Sequence, residues 1–469
     1  MAKSQQSPSR RSYKLVISEA AIIAYVAYFA ALSLAWLDII PNANTTITFA
    51  NVVVFTLSVV IINLSVGLYE AKLREPFRGI IRRIFVSAIL SFFVVAMFSG
   101  VLFTSLSPHP LYAPTAVPLI ILALVIFRYH IHTTDTFYSK PRIVVIGSGV
   151  RASVIEKRMR RDVDRANFDL IGFIPMPSDD RDNGIKNEKL ISIDIDTEMP
   201  SFLTNNEIAE IVIACDQRRG TLPVAALFDA RLKGVRVTDL LDFMERETGQ
   251  IAVDLMYPSW VIYSNGFQSQ NYFRQLVDFW INITLATIIL AVTWPIMLVT
   301  AIAIYIDDGY RTKTSVLYKQ QRIGKDGQPF NILKFRSMRP DAEKDGAKWA
   351  AKNDSRVTAI GGFIRKYRID ELPQLFNVVR GDMSFIGPRP ERPEFVEQLI
   401  KEVPYYAQRH NVKPGLAGWA QLNYPYGASV LDSLEKLKFD LYYVKHQSLL
   451  LDLLILVRTV EIVLFGKGR

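Results

Sequence analysis

Cysteine is almost absent from this sequence, and histidine is scarce. Cys215 is the single thiol among 469 residues, which excludes an internal disulfide and a cysteine metal cluster. The five histidines do not form an HExxH pattern or a comparable metal-ligand spacing. A cleavable signal peptide is not expected, since a polar, basic start leads into a long apolar segment. These absences exclude the cysteine and histidine metal sites that can be recognised from sequence.

Apolar residues, by contrast, are abundant. Half of all residues are hydrophobic and the mean hydropathy is +0.17, which is too apolar for a soluble enzyme of this length. A chain of 469 residues predicts two to four domains. The net charge of +10 is typical of cytoplasmic loops beside an anionic membrane surface, and we favour this interpretation over nucleic-acid binding.

Four apolar segments lie in the first part of the chain, at 15–37, 46–68, 83–106 and 111–128. The loops after the first and third segments lack Lys and Arg, whereas the N-terminus and the loop after the second segment are rich in both. This asymmetry predicts a four-helix transmembrane bundle over 1–138 with both ends in the cytoplasm. The segments contain no evident ion pair or polar pathway, which argues against a lipid transporter or a non-catalytic membrane scaffold.

The composition changes to that of a soluble α/β unit over 139–265. Strand-like PRIVVI, DLIGFI, EIVIAC and VRVTDL alternate with polar helical stretches, which predicts a small Rossmann-like parallel sheet. Gly147 and Gly149 form a turn that can hold a pyrophosphate at a helix N-terminus. However, Ser153 stands at the third fingerprint position, and no acidic residue follows the second strand to bind a ribose. A regulatory or packing domain is favoured, and an NAD-dependent nucleotide-sugar enzyme stays open as an alternative.

The stretch 279–306 contains no charged residue and is bounded by aspartates. A helix of this length is roughly 40 Å long, enough to cross a hydrocarbon core of about 30 Å. Basic residues lie both before and after the stretch, which is typical of two cytoplasmic flanks. Pro295 can bend the helix within the membrane. We predict a re-entrant helix at about 272–306 in a catalytic domain over 266–469. A spanning helix with a proline kink is the alternative.

The C-terminal segment SLLLDLLILVRTVEIVLF is interrupted by Asp452, Arg458 and Glu461. These charges favour a helix in the membrane interface, with a buried helix of the globular domain as the alternative. The predicted fold class is therefore a membrane protein of α and α/β type. It comprises the four-helix bundle, the Rossmann-like middle domain, and a C-terminal α/β-type domain with re-entrant and interfacial helices.

The densest group of chemically useful residues lies between 362 and 393. Asp370 and Glu371 are adjacent carboxylates that open a predicted helix, with Pro373 in its first turn and Gly381 at its end. Near the N-cap, Asp370 would be kept ionised by the helix dipole, as a nucleophile or a metal ligand requires. Since the two side chains point about 100° apart on a helix, they need not share one role.

Cations surround this carboxylate pair in the sequence. The candidate substrate-binding residues are Lys334, Arg336, Arg365, Arg389 and Lys413. So many cations beside two carboxylates, in a chain anchored in a membrane, favour a polyphosphate substrate. A divalent metal on the carboxylates would offset charge at the reacting phosphorus. A basic face on lipid headgroups accounts for some of these residues, but not for the prolines on either side of Arg389.

Three motifs make the C-terminal two hundred residues recognisable: YKQQRIGKDGQPFNILKFRSM, RIDELPQLFNVVRGDMSFIGPRP and VKPGLAGWAQLN. They resemble the bacterial sugar transferases, the monotopic polyprenyl-phosphate phosphoglycosyltransferases. The whole chain looks like the large members that initiate exopolysaccharide or O-antigen assembly. The resemblance implies a bacterial inner-membrane enzyme with a cytoplasmic active site, often dimeric. It implies that a UDP-sugar and undecaprenyl phosphate react to give undecaprenyl-diphospho-sugar and UMP.

The resemblance also assigns roles to residues. It makes Asp370 the nucleophile that forms a covalent sugar-phosphate intermediate, and Glu371 its partner in metal binding or proton handling. Both carboxylates would hold Mg²⁺, with Mn²⁺ as a possible substitute. Lys334, Arg365 and Arg389 match substrate-binding cations of the family, and Pro295 matches the proline that breaks the re-entrant helix. The sugar itself is not implied by any residue.

Overall fold

A computed structural model describes residues 8–36, 45–69, 77–101, 112–134, 140–159, 165, 167–180, 184–218, 220–264, 266–267, 272–342, 356–424, 427 and 429–464. The chain divides into two compact units, 1–249 and 250–469. The first unit contains four long helices followed by a parallel sheet, and the second contains the motif-rich part of the chain. The predicted class, a mixed helical and α/β protein with long apolar helices, is confirmed.

The four long helices form because long apolar runs are separated by short linking segments. They are α1 (Pro8–Trp36), α2 (Thr45–Ser65), α3 (Phe77–Val101) and α4 (Tyr112–Thr134). Helix α1 packs against α2 and α4, and α3 packs against the same two helices. Each helix contributes a fully buried side chain to their shared core, namely Ile23, Phe55, Ile84 and Leu124.

A buried ion pair joins two of these helices, which corrects the expectation of no such pair. Arg128 on α4 donates to Glu19 on α1, and both side chains are almost fully buried. Arg128 also lies 3.3 Å from the carbonyl of Leu68, and Arg83 donates to the carbonyl of Gly67 at 2.8 Å. Both arginines thus reach the residues just beyond the end of α2, where carbonyl groups lack helical partners. In the sequence both arginines stand at an end of a predicted apolar segment, Arg83 at the start of 83–106 and Arg128 at the end of 111–128.

Three stretches of the described residues are long and apolar enough to cross a membrane: Lys14–Leu34, Pro114–Ile131 and Arg274–Asp307. A shorter apolar stretch, Val52–Leu64, lies within α2. The prediction that the chain contains membrane-crossing helices is confirmed at this level.

A four-stranded parallel sheet follows in the first unit. Its strands are β1 (Arg142–Ile146), β2 (Asp169–Ile174), β3 (Ile208–Ile213) and β4 (Arg236–Asp239), in the order β2-β1-β3-β4. The accompanying helices are α5 (Val150–Arg158), α6 (Met199–Asn205), α7 (Val224–Leu232) and α8 (Leu240–Thr248). Strand β1 is buried along most of its length, as expected for the central strand of a parallel sheet covered by helices.

The second unit is built around a long helix and several short elements. The helices are α9 (Pro258–Tyr263), α10 (Tyr272–Ile304), α11 (Tyr310–Thr312), α12 (Ala359–Lys366), α13 (Gln374–Arg380), α14 (Pro393–Glu402), α15 (Trp419–Asn423), α16 (Val430–His446) and α17 (Leu449–Leu464). The strands are β5 (Leu317–Ile323), β6 (Pro329–Phe335), β7 (Ser384–Ile386) and β8 (Gly415–Ala417). Helix α10 continues through Pro295, and one π-helical turn, Tyr305–Gly309, follows it.

Two strand pairs and two helices position the candidate site. Strands β5 and β6 form an antiparallel hairpin, and β7 pairs in parallel with β8. Helices α12 and α13 both pack against α10, and a small core of Ile304, Phe335 and Ile364 joins α10, β6 and α12. The turn between α12 and α13 carries the adjacent carboxylates.

Candidate active site

The carboxylate pair lies in a tight turn rather than at the start of an α-helix. Arg368 has a left-handed conformation (φ 58°), and its carbonyl accepts a hydrogen bond from the amide of Glu371 at 3.2 Å. The segment Ile369–Glu371 is a 3₁₀ turn, and α13 begins three residues later, with Pro373 at its N-cap position. The predicted placement of Asp370 near the N-cap is therefore wrong.

The predicted end of this helix is correct. Gly381 follows α13 with φ 84°, a left-handed conformation that glycine adopts at little cost. The helix has only seven residues, so its dipole is weak and lies beyond the turn that holds the carboxylates. The state of each carboxyl group is set instead by burial and by neighbouring charges.

Glu371 is surrounded by three cations. Its Oε1 lies 2.8 Å from Arg389 Nη2, 3.5 Å from Arg368 Nη1 and 3.6 Å from Lys334 Nζ. Burial alone would raise the pKa of Glu371, but the attraction of Arg389, Lys334 and Arg368 outweighs it and holds the pKa well below its usual range. Glu371 is therefore an ionised carboxylate that gathers the cations of the site.

Asp370 has the opposite environment. Its side chain is 8% exposed, and its Oδ1 is buried without a hydrogen-bond partner among the described residues. Burial raises the pKa of Asp370, and the charge of Glu371 raises it further, while Lys334 and Arg365 oppose this in part. The expectation that the environment favours the ionised form through a helix dipole is thus reversed. Asp370 is thus a buried carboxyl group with a raised pKa and with one oxygen that lacks a hydrogen-bond partner among the described residues.

Lys334 and Arg389 reach the pair from different elements. Lys334 lies on β6, where burial lowers the pKa of its ammonium group and the attraction of Glu371 offsets only part of that effect. Arg389 follows β7 and is flanked by Pro388 and Pro390, whose rings restrict the backbone. The structure brings these two predicted residues together on one carboxylate oxygen.

The other predicted cations have different surroundings. Arg365 lies near enough to Asp370 to lower the pKa of its carboxyl group. Arg336 is buried, and its Nη2 lies close to Gly309, 3.5 Å from the position that a Cβ atom on this glycine would take. Burial lowers the pKa of Lys413, and the positive charge of Lys325 adds to that effect. Pro295 lies within α10. Their assignment to substrate binding and to the helix break stays a prediction.

Arg409 was missed in the sequence. It is 5% exposed, forms a 2.7 Å ion pair with buried Asp440 on α16, and donates from the same Nη2 to the carbonyl of Arg389 at 3.0 Å. Arg409 therefore supports the backbone of a residue in the site. Because Asp440 is 31 residues away in sequence, no local pattern indicates this pair.

The carboxylates are chemically suited to a divalent cation. Mg²⁺ typically takes one or two protein carboxylates together with substrate phosphates rather than a complete protein cage. Among the described residues no group of three or more His, Cys, Asp or Glu is placed to hold a metal. The Oδ1 of Asp370, which has no partner among the described residues and lies beside Glu371, fits a site of the kind that uses only one or two protein carboxylates.

A carboxylate of the protein itself lies at the glycine turn formed by Gly147 and Gly149. Asp216, which follows β3, accepts hydrogen bonds from the amides of Val150 and Arg151 at the start of α5, at 3.1 and 2.9 Å. A Cβ added to Gly149 would lie 1.9 Å from Asp216 Oδ2. A carboxylate thus occupies the place that a pyrophosphate takes at such a helix N-terminus. This geometry weighs against the NAD-dependent alternative.

Comparison with known proteins agrees with the motifs around this site. A family model described as bacterial sugar transferase matches residues 273–466. An uncharacterised sugar transferase of Bacillus subtilis (strain 168), EpsL, is 39% identical over 191 residues, covering 40% of this chain and 87% of that protein. The chain belongs to the bacterial sugar transferase family. The five cations predicted to bind substrate and both carboxylates lie within the matched region.

Two longer members of the family have more specific names. The UDP-N-acetylgalactosamine-undecaprenyl-phosphate N-acetylgalactosaminephosphotransferase of Aeromonas hydrophila is 46% identical over 187 residues, which are 40% of this chain and 43% of that protein. The UDP-glucose:undecaprenyl-phosphate glucose-1-phosphate transferase of Xanthomonas campestris pv. campestris is 35% identical over 281 residues, which are 58% of this chain and 56% of that protein. The chain thus spans about half the length of these relatives. It is a membrane protein of a family of sugar transferases.

Proposed function

We propose that this protein transfers a sugar-1-phosphate from a UDP-sugar to undecaprenyl phosphate, giving undecaprenyl-diphospho-sugar and UMP. The observation that carries the proposal is the buried Asp370, with an unpartnered Oδ1, beside a Glu371 that gathers three cations. A nucleophile and a cationic phosphate site are the two parts that such a transfer needs. The names of the relatives supply the class of donor and acceptor.

In the first half-reaction an oxygen of Asp370 attacks the β-phosphorus of the UDP-sugar. A bond forms between this oxygen and phosphorus, and the bond from phosphorus to the α–β bridging oxygen breaks. UMP leaves with that electron pair, and an aspartyl-phosphosugar intermediate stays on the protein. Because a raised pKa makes a carboxylate a stronger base, the ionised form of Asp370 is more nucleophilic than an exposed aspartate.

In the second half-reaction a phosphate oxygen of undecaprenyl phosphate attacks the same phosphorus. The bond from phosphorus to Asp370 breaks, which releases undecaprenyl-diphospho-sugar and restores the carboxylate. Lys334 and Arg389 are positioned to attract the phosphate oxygens through both steps, and Glu371 keeps these cations in place when no phosphate is bound. One site therefore serves both half-reactions.

A divalent cation completes the proposed site. Asp370 and Glu371 would hold Mg²⁺, which, when bound, offsets the negative charge on the phosphates. The identity of the sugar is a separate question, since the relatives named above use N-acetylgalactosamine phosphate and glucose phosphate.

We also propose a membrane arrangement. Helices α1–α4 form a transmembrane bundle, the parallel sheet is a Rossmann-like packing domain, and α10 enters and leaves the inner membrane on the cytoplasmic side. Pro295 removes one backbone donor within α10, which supports a bend there. With this topology the carboxylates face the compartment that contains UDP-sugars.

The reaction is tested by measuring UMP release from purified full-length protein in detergent, with Mg²⁺, undecaprenyl phosphate and a panel of UDP-sugars. We expect release with one or two sugars, abolished by Asp370→Asn and retained in the matched control Asp326→Asn, which alters an exposed turn. Mass spectrometry after UDP-sugar alone should find a phosphosugar on the peptide containing Asp370. Activity that survives Asp370→Asn would refute the covalent mechanism, and no release with any sugar would refute the proposed function.

The topology is tested with single cysteines, because Cys215→Ser removes the one native thiol. Ile262→Cys precedes α10 and Ser315→Cys follows it, and both positions are exposed. A re-entrant helix predicts that an impermeant maleimide labels both positions from the cytoplasmic face. Labelling from opposite faces would show a spanning helix instead.

A further inference from the structure

A polar stripe follows one face of the first turns of α10. Arg274, Asp278 and Asn282 are spaced by four residues, so they lie on the same side of an otherwise apolar helix. Arg274 bonds to Asp278 at 3.2 Å and to Asp452 of α17 at 2.8 Å. The stripe thus faces the rest of the second unit. Asn282 is the last of its three residues in the sequence.

Asn282 makes three hydrogen bonds. Its Nδ2 donates to the carbonyl of Asp278 at 2.6 Å within the helix. Its Oδ1 accepts from the amide of Phe385 at 2.7 Å and from the hydroxyl of Ser384 at 3.0 Å. These partners lie more than one hundred residues away and form the first two positions of β7. One side chain therefore connects the membrane helix to a short strand.

The other edge of this strand is already paired. Ser384 donates its amide to the carbonyl of Pro414, just before β8, and the alternate residues Ser384 and Ile386 pair with Gly415 and Ala417 of β8. Alternate amides point to opposite edges of a strand, so Phe385 presents its N–H away from β8. Asn282 satisfies that amide in place of a third strand.

The strand leads directly to the site. Three residues after Ile386 comes Arg389, whose Nη2 lies 2.8 Å from Glu371 Oε1. The backbone between them contains Gly387 and Pro388, and the amide of Gly387 is fixed by its bond to Ala417. A shift of β7 is therefore transmitted to Arg389 over a short and restricted path.

We propose that Asn282 is a positioning residue that holds β7, and through it Arg389, in the geometry that phosphate transfer requires. The seating of α10 and the arrangement of the active site are thereby coupled through two hydrogen bonds. This inference rests on the proposed function for its effect on rate, but not for its effect on the strand.

The strand is tested first, without reference to activity. In Asn282→Leu, which is similar in size but cannot accept a hydrogen bond, hydrogen exchange in peptides containing Phe385 should be about tenfold faster. The matched control is Thr287→Val, because Thr287 is exposed on the same helix and donates to Ile283 of that helix, its one side-chain hydrogen bond within the described part of the chain. Unchanged exchange in Asn282→Leu would overturn the proposal whatever the enzyme does.

The rate is tested with a double-mutant cycle. Misplacement by about 1 Å costs up to about a hundredfold in rate, so Asn282→Leu should lower kcat/KM for UMP release about 10–100-fold. In an Arg389→Ala background the same change should cost less than about threefold, since its target is gone. Asn282→Asp, which keeps the acceptor, should recover part of the rate.

Each outcome has a distinct meaning. Equal losses with and without Arg389 would show that Asn282 acts on the fold as a whole, which overturns the positioning role. Faster exchange of Phe385 in a protein that never releases UMP would support the strand contact and refute the proposed function instead.

Discussion

The buried pair of Arg409 and Asp440 provides a test of how the site is supported. Asp440 Oδ2 accepts from Arg409 Nε at 3.1 Å and from Nη2 at 2.7 Å, and both side chains are nearly inaccessible to solvent. Asp440→Asn keeps the shape of the side chain but removes its charge. The buried guanidinium group then loses the counter-charge to which it is hydrogen-bonded, and breaking a buried pair in this way costs about 3–5 kcal/mol in comparable pairs.

This magnitude is measurable as thermal stability. At about 2–4 °C per kcal/mol for a unit of this size, the apparent Tm should fall by about 6–20 °C. Thermal unfolding of the full chain in detergent, at one fixed scan rate, is the assay. The matched control is Glu394→Gln, which breaks the 3.6 Å contact between Arg392 and a largely exposed Glu394 and should cost less than about 1 kcal/mol.

Two results would contradict this reasoning. Equal shifts for Asp440→Asn and Glu394→Gln would mean that burial does not raise the cost of an unpaired charge here. A large Tm loss that the double change Arg409→Met with Asp440→Leu does not partly restore would also be inconsistent, since replacing a whole buried pair with apolar groups is often neutral.

Three further predictions follow from single sites. Gly362→Ala should stabilise α12 by about 0.5–1 kcal/mol, because a Cβ there meets open space, whereas Gly361→Ala should destabilise it, because its Cβ would lie 2.0 Å from a backbone carbonyl; urea unfolding compares the two. Burial lowers the pKa of His410 to about 3. The stability that the neutral side chain provides is therefore fully present above pH 6.5 and is lost as the pH falls below that value. At pH 5 the free energy of unfolding of the wild type should be about 2 kcal/mol lower than at pH 8, and His410→Gln should not show this loss. The measurement is the difference in Tm between pH 8 and pH 5 for each protein. Glu371→Gln should lower the pKa of Asp370, and so move the acid limb of the rate profile to lower pH.

Local patterns predicted most of the elements and the members of the site. Apolar runs located the long helices, although α1 begins at Pro8, seven residues before the expected segment, α3 begins at Phe77, six residues before it, and α4 ends at Thr134, six residues after it. Two of the three cations around Glu371, Lys334 and Arg389, are predicted from residue types and motifs, whereas Arg368 is not among the predicted site residues. Their convergence on one oxygen depends on how the hairpin, the turn and β7 pack together, which no short pattern specifies.

The missed residues have a common cause. Asp216 bonds to amides about 65 residues before it, Arg409 pairs with Asp440 over 31 residues, and Asn282 reaches Phe385 over 103 residues. Periodicity and caps describe neighbours in sequence, so contacts of this kind become visible only in the fold. Asn282 did leave one trace, as a polar residue at helical spacing from Arg274 and Asp278.

The two adjacent carboxylates illustrate why the fold matters for chemistry. They differ by one position in sequence, yet Glu371 faces three cations while Asp370 is buried with one oxygen unpartnered. If both had been ionised and equally paired, neither would be a good nucleophile, because paired oxygens are less basic. The 3₁₀ turn separates the roles by pointing the neighbouring side chains into different surroundings. In the proposed reaction, Glu371 would hold the cations that bind a diphosphate, and because its charge raises the pKa of Asp370, it would also make the proposed nucleophile more basic.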